Sequence, residues 1–268
     1  MTTMTAPPRR RPAGASAIVR VLDVDAELAG SLQGERLLDA RARLVAHERR
    51  LPVGPWNPPQ QRPERDDHLG LLVLEGLLAR EVVMGDNISA ELIGEGDLIR
   101  PWQDHDASEL MQSRVRWTAV EPTRLAVLGG SFAEALARYP EIHGVLLQRL
   151  TLRAHRLAVA QAISTLNGVD QRILALLWHL ASRWGRVTPQ GITLRLALPH
   201  RVIAQLVGAR RPTVSTAITR LVRSGDVQRL PDRTWLLSGD PVGLPTEQAG
   251  RVIRMRRAPG VAAGSPLR

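Results

Sequence analysis

The sequence predicts an α+β chain: an N-terminal antiparallel β-barrel or jelly roll, a long dimerisation helix and a C-terminal winged helix-turn-helix. Three observations lead to this prediction. Short β-like runs separated by glycine fill residues 69–128, a helical pattern covers residues 131–166, and two short amphipathic helices joined at a glycine occupy residues 199–221. Regularly spaced short strands with turn residues between them are typical of antiparallel barrels, and 268 residues suffice for two domains.

The composition of the chain suggests where these parts begin and end. Residues 1–16 are rich in Pro, Thr and Arg and are expected to be disordered, with Arg9, Arg10 and Arg11 either solvated or touching DNA. Residues 17–130 are expected to hold N-terminal helices and the barrel, and residues 131–167 the dimerisation helix. The winged helix-turn-helix is expected at 168–240. A second disordered, basic tail is expected at 241–268.

The barrel prediction depends on short apolar runs. Leucines between residues 25 and 51 first indicate one or two amphipathic helices, which the segment LPVGPW should end. A Pro-, Gln- and Arg-rich loop should follow up to Arg65. The β-like runs lie at residues 71–74, 79–84, 89–93, 114–120 and 124–128.

A long helical pattern follows the barrel, with a break at Tyr139-Pro140. Its small and branched residues are expected to share one stripe: Leu146, Leu150, Ala154, Leu157, Ala160 and Ile163. A barrel and a winged helix cannot both cover so long a helix, so the stripe predicts a partner helix from a second subunit. The alternative is that the stripe packs only within its own chain.

The segment PHRVIAQLVGARRPTVSTAITRL predicts a helix-turn-helix. Ile203 and Val207 share one face of the first helix, and Gly208 can adopt the positive φ that the turn needs. The buried stripe of the second helix is expected to be Val214, Ile218 and Leu221. Its opposite face should present Arg211, Pro212, Ser215, Thr216, Thr219 and Arg220. No member of that face is acidic, which suits base edges and phosphates.

Strand-like segments flank this motif. The sequence after residue 221 has a Ser-Gly-Asp break, a Pro-Asp-Arg turn and a β-forming run at 234–237, which together predict a two-stranded wing. Residues 191–198 alternate as a strand does and are expected to pair with the wing. The combination is a winged helix.

Residues 169–238 resemble the C-terminal domain of the Crp/Fnr superfamily of bacterial transcription regulators. The resemblance rests on the order VTPQGI, strand, LVGARRPTVS and wing, in which Arg211 and Thr213-Val214 match the start of the family's recognition helix. Arg210 stands where the family usually has a serine cap, Pro212 where it has glutamate, and Thr216 where it has a second base-reading arginine. The exposed face and this resemblance together predict the DNA-binding residues Arg210, Arg211, Thr213, Ser215, Thr216, Thr219 and Arg220.

The charge distribution agrees with a nucleic-acid partner for the C-terminal part. The net charge is +10, and residues 168–268 hold 16 arginines against 5 acidic residues. Residues 60–121 hold 6 arginines against 13 acidic residues. The basic part is therefore expected to face phosphates, and the acidic segment to stay clear of them.

The resemblance also implies that the barrel is a cyclic-nucleotide-binding-like sensor domain. Family members that bind cyclic nucleotides have a Gly-Glu-Leu type turn and a later Arg-Ser or Arg-Thr pair that binds the phosphate. Here Gly96-Asp97 and the reversed Ser113-Arg114 replace them. Arg100 or Arg114 would bind an anion or lie on the surface. The effector is unknown, no cofactor is predicted, and a cyclic nucleotide is not expected.

Several function classes are not expected from the sequence. There is no cysteine, which excludes disulfides, iron–sulfur ligation and thiol redox sensing. A single histidine, His105, beside Asp104, Asp106 and Glu109 does not make a cupin-type metal site, and no catalytic residue set stands out, so no metal site and no enzyme are predicted. No signal peptide or membrane-spanning run is present, and a cytoplasmic location is expected.

The function that the sequence favours is sequence-specific transcription regulation. The expected partners are double-stranded DNA with inverted-repeat sites, a second copy of the chain, and RNA polymerase. The alternative is a helix-turn-helix protein-interaction module, an anti-regulator that holds another factor and has no operator of its own.

Overall fold

A computed structural model describes residues 17–58, 68–105 and 113–239. The expected tails at 1–16 and 241–268, with Arg9, Arg10 and Arg11, lie outside these residues. Within the described ranges, no helix combines the length and the apolar character that crossing a bilayer requires.

The chain begins with a short strand and three helices. They are β1 (Ile18–Arg20), α1 (Val21–Val24), α2 (Ala26–Gly30) and α3 (Gly34–Arg43). The prediction of helices up to residue 51 is wrong in its last part, because Val45–Leu51 forms strand β2. β2 pairs with β1, and it buries alternate residues, including Glu48. The polar sequence of β2 hid this alternation, because a buried charge is hard to tell from an exposed one without its partner.

Seven further strands complete two antiparallel sheets. They are β3 (Gly54–Trp56), β4 (Gly70–Glu75), β5 (Leu77–Met84), β6 (Asn87–Gly94), β7 (Leu98–Ile99), β8 (Arg114–Ala119) and β9 (Thr123–Leu128). A 3-10 helix, Pro101–His105, lies between β7 and β8. The strand orders are β1-β2-β9-β4-β7 and β3-β8-β5-β6. The predicted antiparallel barrel or jelly roll is therefore confirmed.

The central strand β4 explains why part of the sequence is apolar without alternation. Leu71 and Val73 lie in the core between the two sheets, where Trp56 and Trp117 meet edge to face with ring centroids 5.6 Å apart. Leu72 and Leu74 point to the other side and pack under the helices. Because both faces of β4 are covered, nearly every side chain in it is apolar.

The link between β4 and β5 requires glycine. Gly76 has φ +94°, and a Cβ at this position would lie 2.3 Å from the carbonyl oxygen of Pro122. No other residue type fits so close an approach of two backbones.

Glu48 gives the barrel a specific pH dependence. Hydrogen bonds from Arg124, with Nη2 donating to Oε2 at 2.9 Å, and from Arg50 lower the pKa of Glu48 from 4.5 to about 2. A carboxylate whose pKa is depressed by folding contributes stability above its unfolded pKa and loses it as the pH falls. We expect the free energy of unfolding to fall by about 1 to 3 kcal/mol between about pH 4.5 and 2. Urea unfolding of Glu48→Gln should not show this pH-dependent fall. A variant with the wild-type pH profile would contradict this prediction.

Two helices follow the barrel: α4 (Gly130–Leu136) and α5 (Pro140–Ser164). The break at Tyr139-Pro140 lies where the sequence predicts it. The predicted single stripe on α5 is wrong, because Leu146 and Ile163 are buried within the chain whereas Leu150 and Leu157 are exposed. Leu146 shares a face with Leu150 and Leu157 but lies nearer the start of α5, where it packs in the core beneath the N-terminal helices, and Ile163 packs into the core that contains the winged helix.

The C-terminal part is a winged helix. Its elements are α6 (Val169–Trp184), β10 (Gly185–Thr188), β11 (Gly191–Leu194), α7 (His200–Leu206), α8 (Arg211–Ser224), β12 (Val227–Arg229) and β13 (Trp235–Leu237). The predicted strand at 191–198 is shorter than expected, and its predicted pairing with the wing is confirmed by β11 against β13. The sequence analysis missed β10, which extends this sheet to four strands.

The barrel and the winged helix share one apolar core. Leu77, Ala79 and Leu92 of the barrel belong to the same buried cluster as the inner faces of α6, α7 and α8. Two buried carboxylates of the barrel each contact an arginine of the winged helix. Glu81 Oε1 lies 3.5 Å from Arg201 Nη1. Asp97 Oδ2 accepts from Arg183 Nη1 at 2.7 Å. The two parts are therefore held together by apolar packing and ion pairs.

Candidate nucleic-acid interface

The helix-turn-helix consists of α7, a short turn and α8. Gly208 in the turn has φ +61°, which is the left-handed conformation the sequence predicts there. The backbone N–H of Ala209 donates to the carbonyl of Ala204 at 2.9 Å and closes the turn. Ile203 and Val207 are fully buried, as their spacing predicts. The turn geometry therefore follows from the local sequence.

α8 is amphipathic in the predicted register. Val214, Ile218 and Leu221 are buried, together with Ala217. Pro212 lies in the first turn, where no intrahelical hydrogen bond needs its missing N–H. The opposite face of α8 is exposed, except for the half-buried Ser215. α8 thus presents a polar face that has no acidic residue.

Hydroxyl groups along this face hydrogen-bond to carbonyls one turn earlier. Ser215 Oγ donates to the carbonyl of Arg211 at 3.2 Å, and Thr219 Oγ1 donates to that of Ser215 at 3.0 Å. Thr216 does the same with Pro212. Because each hydroxyl hydrogen is already donated to a carbonyl, the hydroxyl oxygens can still accept hydrogen bonds from a partner through their lone pairs.

Two arginines stand at the start of α8. Arg210 occupies the N-cap position without a capping bond from its side chain, in agreement with its replacing the family's usual serine. Arg211 is the first helical residue, and both arginines are exposed. They line an open cleft whose other wall is the β5–β6 hairpin at Asp86 and Asn87. Thr213 is exposed in the same turn.

Arg220 is paired within the chain. Its Nε and Nη2 donate to the carboxylate of Asp170 on α6 at 2.8 and 2.7 Å, and this pairing raises the pKa of Arg220. A phosphate at this position would therefore have to compete with Asp170 or share the guanidinium with it. The sequence analysis did not foresee this pair, because 50 residues separate its members.

Two polar residues beside this face were missed from the sequence. His200, the first residue of α7, has Nδ1 3.0 Å from Ser215 Oγ and Nε2 3.4 Å from Arg229 Nη1. Arg229 belongs to the wing and lies over the ring of Trp235, 4.8 Å from its centroid. Burial, Arg229 and Arg211 lower the pKa of His200. The feature of the sequence that could have indicated a role for His200 is its position at the start of the first helix of the motif.

The two arginines weighed for an anion in the barrel belong to different sheets, since Arg100 follows β7 and Arg114 begins β8. Arg100 Nε donates to the carbonyl of Leu69 at 2.8 Å, which holds its side chain at the start of β4. Arg114 begins β8 and is exposed. The absence of a cyclic-nucleotide effector stays a prediction.

Comparison with known proteins agrees with this geometry. The family model for the Crp-like helix-turn-helix domain matches residues 171–240. A curated relative, the global nitrogen regulator of Synechococcus elongatus, is 36% identical over 93 residues. That match covers 34% of this chain and 41% of the relative, so the chain spans less than half of that protein's length.

Solved structures share the fold over most of the chain. A CooA mutant from Carboxydothermus hydrogenoformans is 18% identical, with 88% of this chain and 94% of that chain covered and a TM-score of 0.57. FixK2 from Bradyrhizobium japonicum is 15% identical, with 78% and 97% covered and a TM-score of 0.56. A cyclic nucleotide-binding domain containing protein from Listeria monocytogenes is 14% identical, with 81% and 97% covered and a TM-score of 0.58.

These matches confirm both the α+β architecture and the resemblance. The CooA structure covers 88% of this chain, so the shared fold extends across the barrel, the long helix and the winged helix, and the Crp-like domain model covers the helix-turn-helix and its wing. Residues 171–240 therefore carry a Crp-like helix-turn-helix domain, and the whole chain shares its fold with the solved structures.

Proposed function

We propose that this protein is a transcription regulator that binds inverted-repeat DNA sites as a homodimer, with α8 in the major groove. The observation that carries the proposal is the exposed face of α8, which presents Arg211, Ser215, Thr216 and Thr219 without an acidic residue. Arg210 and Thr213 stand at the same end of the helix, placed for phosphates. Phosphate contacts would supply most of the affinity, and the first turn would read bases.

The alternative, a protein-interaction module without an operator, makes a different prediction about DNA. A regulator protects a defined site, whereas an anti-regulator binds DNA only weakly and without sequence preference. Selecting bound fragments from genomic DNA and footprinting them separates the two. An inverted repeat with half-sites about 34 Å apart, or a multiple of that distance, is expected for a two-fold dimer.

Replacing Arg211 with alanine tests direct base reading. The guanidinium fork donates two hydrogen bonds to guanine O6 and N7, so the variant should lose about 1 to 3 kcal/mol on the specific site and little on random DNA. Competition binding against single-base variants of the selected site, at one fixed salt concentration, measures the loss at each base pair. Arg211→Ala should lose discrimination at one base pair in each half-site.

Arg223→Ala is the matched control, since Arg223 is exposed in the last turn of the same helix. It should leave every base preference unchanged. An equal loss for Arg211→Ala on all sequences would make Arg211 a phosphate contact and assign base reading to other residues of the face. Arg220→Ala and Thr213→Ala should weaken both kinds of DNA alike.

The proposal of a homodimer rests on the exposed side of α5. Leu147, Leu150, Ala154 and Leu157 recur at alternating spacings of three and four residues, and we refer to them as the α5 seam. All four are exposed in the single chain, whereas Arg149, on another side of the helix, binds Asp25. This spacing is that of a coiled-coil interface, which a second α5 would cover.

Leu150→Glu tests the α5 seam. A carboxylate there would be buried against a second helix, so we expect the dissociation constant of the dimer to rise by at least about a hundredfold. Leu152→Glu is the control, because Leu152 is equally exposed, 46% against 42%, but lies on another side of the helix. Analytical ultracentrifugation at micromolar concentration should show a monomer for the first variant and a dimer for the second. A dimeric Leu150→Glu protein would reject the α5 seam as the interface.

One further expectation, an action on RNA polymerase, stays a prediction. A regulator of this type acts on RNA polymerase, so in vitro transcription from a promoter that carries the selected site should change when the protein is added. Such transcription also shows whether the protein activates or represses.

A further inference from the structure

His200 connects three parts of the candidate interface. It begins α7, its Nδ1 lies 3.0 Å from Ser215 Oγ on α8, and its Nε2 lies 3.4 Å from Arg229 Nη1 on the wing. The ring is half-buried, and Ser215 is half-buried beside it. The ring therefore has a defined partner on each nitrogen.

The two partners determine which nitrogen carries the proton. Arginine has donors and no acceptor, so Nε2 must accept from Arg229 and cannot hold a hydrogen. The ring is kept neutral because burial and the cations Arg229 and Arg211 lower the pKa of His200. The single proton is then on Nδ1, which donates to Ser215 Oγ.

This donation determines what Ser215 can offer to DNA. A hydroxyl has one hydrogen and two lone pairs. The hydrogen goes to the carbonyl of Arg211 at 3.2 Å, and one lone pair takes the proton of His200. What is left is one lone pair, so Ser215 acts as an acceptor. The donors that bases present in the major groove are the adenine N6 and cytosine N4 amino groups.

We propose that His200 is a positioning residue that makes Ser215 a hydrogen-bond acceptor, so that Ser215 selects an exocyclic amino group of adenine or cytosine. This specificity rests on the proposed DNA-binding function and extends it to a second base pair. Ser215 lies one helical turn after Arg211, so the base pair it contacts is close to the one that Arg211 reads.

Two substitutions of His200 separate its two contacts. The amide of asparagine reaches the position of Nδ1 and can still donate to Ser215, whereas the amide of glutamine reaches the position of Nε2 and can accept only from Arg229. We expect His200→Asn to keep the base preference at the Ser215 position within about twofold, and His200→Gln to weaken it roughly five- to tenfold. Matching thermal unfolding midpoints confirm that both variants are folded.

Ser215→Ala and modified bases test the acceptor role. Ser215→Ala should abolish the same base preference, and adding His200→Gln to it should change nothing further. Replacing adenine with purine, or cytosine with 2-pyrimidinone, removes only the exocyclic amino group. Comparing the two replacements identifies which base is read. This removal should weaken wild-type binding and leave Ser215→Ala unaffected. Additive effects of the two substitutions, or a preference for guanine or thymine at this position, would overturn the proposal.

The tautomer can be measured without DNA. In ¹⁵N-labelled protein at pH 7.5, the imidazole shifts of His200 should show Nδ1 protonated and Nε2 unprotonated. The opposite tautomer would overturn the proposal whatever the DNA data. Wild-type protein that selects no fragment over random DNA would reject the proposed function itself, whereas selective binding with the wrong base preference would reject this inference alone.

Discussion

Replacing Arg149 with alanine is expected to lower the free energy of unfolding by about 3 to 5 kcal/mol. Arg149 is only 9% exposed, and its guanidinium donates to both oxygens of Asp25, with Nη1 to Oδ2 at 2.6 Å and Nη2 to Oδ1 at 2.8 Å. It also donates to Glu27 Oε2 at 2.6 Å. Burial by itself lowers the pKa of Arg149, yet the carboxylates of Asp25 and Glu27 raise it overall. Without Arg149, the buried Asp25 carboxylate has lost its cation.

Arg36→Ala is the matched control for this prediction. Arg36 pairs with Glu141 on the surface, where both side chains are largely exposed, so its loss should cost less than about 1 kcal/mol. Urea unfolding of both variants measures the difference. In an Asp25→Asn background, which removes the buried charge, Arg149→Ala should cost much less than in the wild type. An Arg149→Ala protein as stable as Arg36→Ala would show that the buried pair contributes nothing to stability.

Replacing Asp97 with alanine is expected to lower the free energy of unfolding by about 2 to 4 kcal/mol and to loosen the winged helix from the barrel. Asp97 is 3% exposed and accepts from Arg156 of α5 at 2.8 Å and from Arg183 of α6 at 2.7 Å. It also accepts from the backbone N–H of Gly94 at 2.9 Å. Burial and the neighbouring Arg183 lower the pKa of Arg156, so the two cations would repel each other without the carboxylate between them.

Glu95→Ala is the control for Asp97→Ala. Glu95 lies in the same turn but is exposed, and Arg183 contacts its backbone carbonyl, which the substitution keeps. Urea unfolding should separate the two variants by at least about 2 kcal/mol. Amide hydrogen exchange should accelerate at the end of α6 and in the turn before β7 only in Asp97→Ala. Unchanged exchange there would mean that the shared apolar core alone holds the two parts together.

Local patterns were enough to predict the parts of the fold that depend on neighbouring residues. The helix-turn-helix was found because Gly208 interrupts two helical repeats, and α8 has the predicted register because Val214, Ile218 and Leu221 are spaced by whole turns. Strands β4, β5, β6, β8 and β9 were found because turn residues separate their apolar runs, whereas the two-residue strand β7 was missed. In each case the signal lies within a few residues of the element it predicts.

Contacts between distant residues could not be predicted in the same way. Strand β2 was mistaken for helix because the buried Glu48 is explained only by Arg124, 76 residues later. The stripe on α5 was misread because the barrel and the winged helix cover Leu146 and Ile163 and leave Leu150 and Leu157 exposed. The ion pair between Arg220 and Asp170 was not predicted, because the two residues are far apart in the sequence.

The sequence by itself determined the order of barrel, long helix and winged helix, the register of α8, and the excess of arginine in the C-terminal part of the chain. These features depend on periodicity, turn residues and composition, which a linear chain carries locally. Only the tertiary structure decided that His200 links Ser215 to Arg229, that Asp25 and Asp97 bind arginines of α5 and α6, and that the barrel and the winged helix share one core. The physical reason is that a hydrogen bond or an ion pair depends on distance in space, and residues far apart in the chain become neighbours only when it folds.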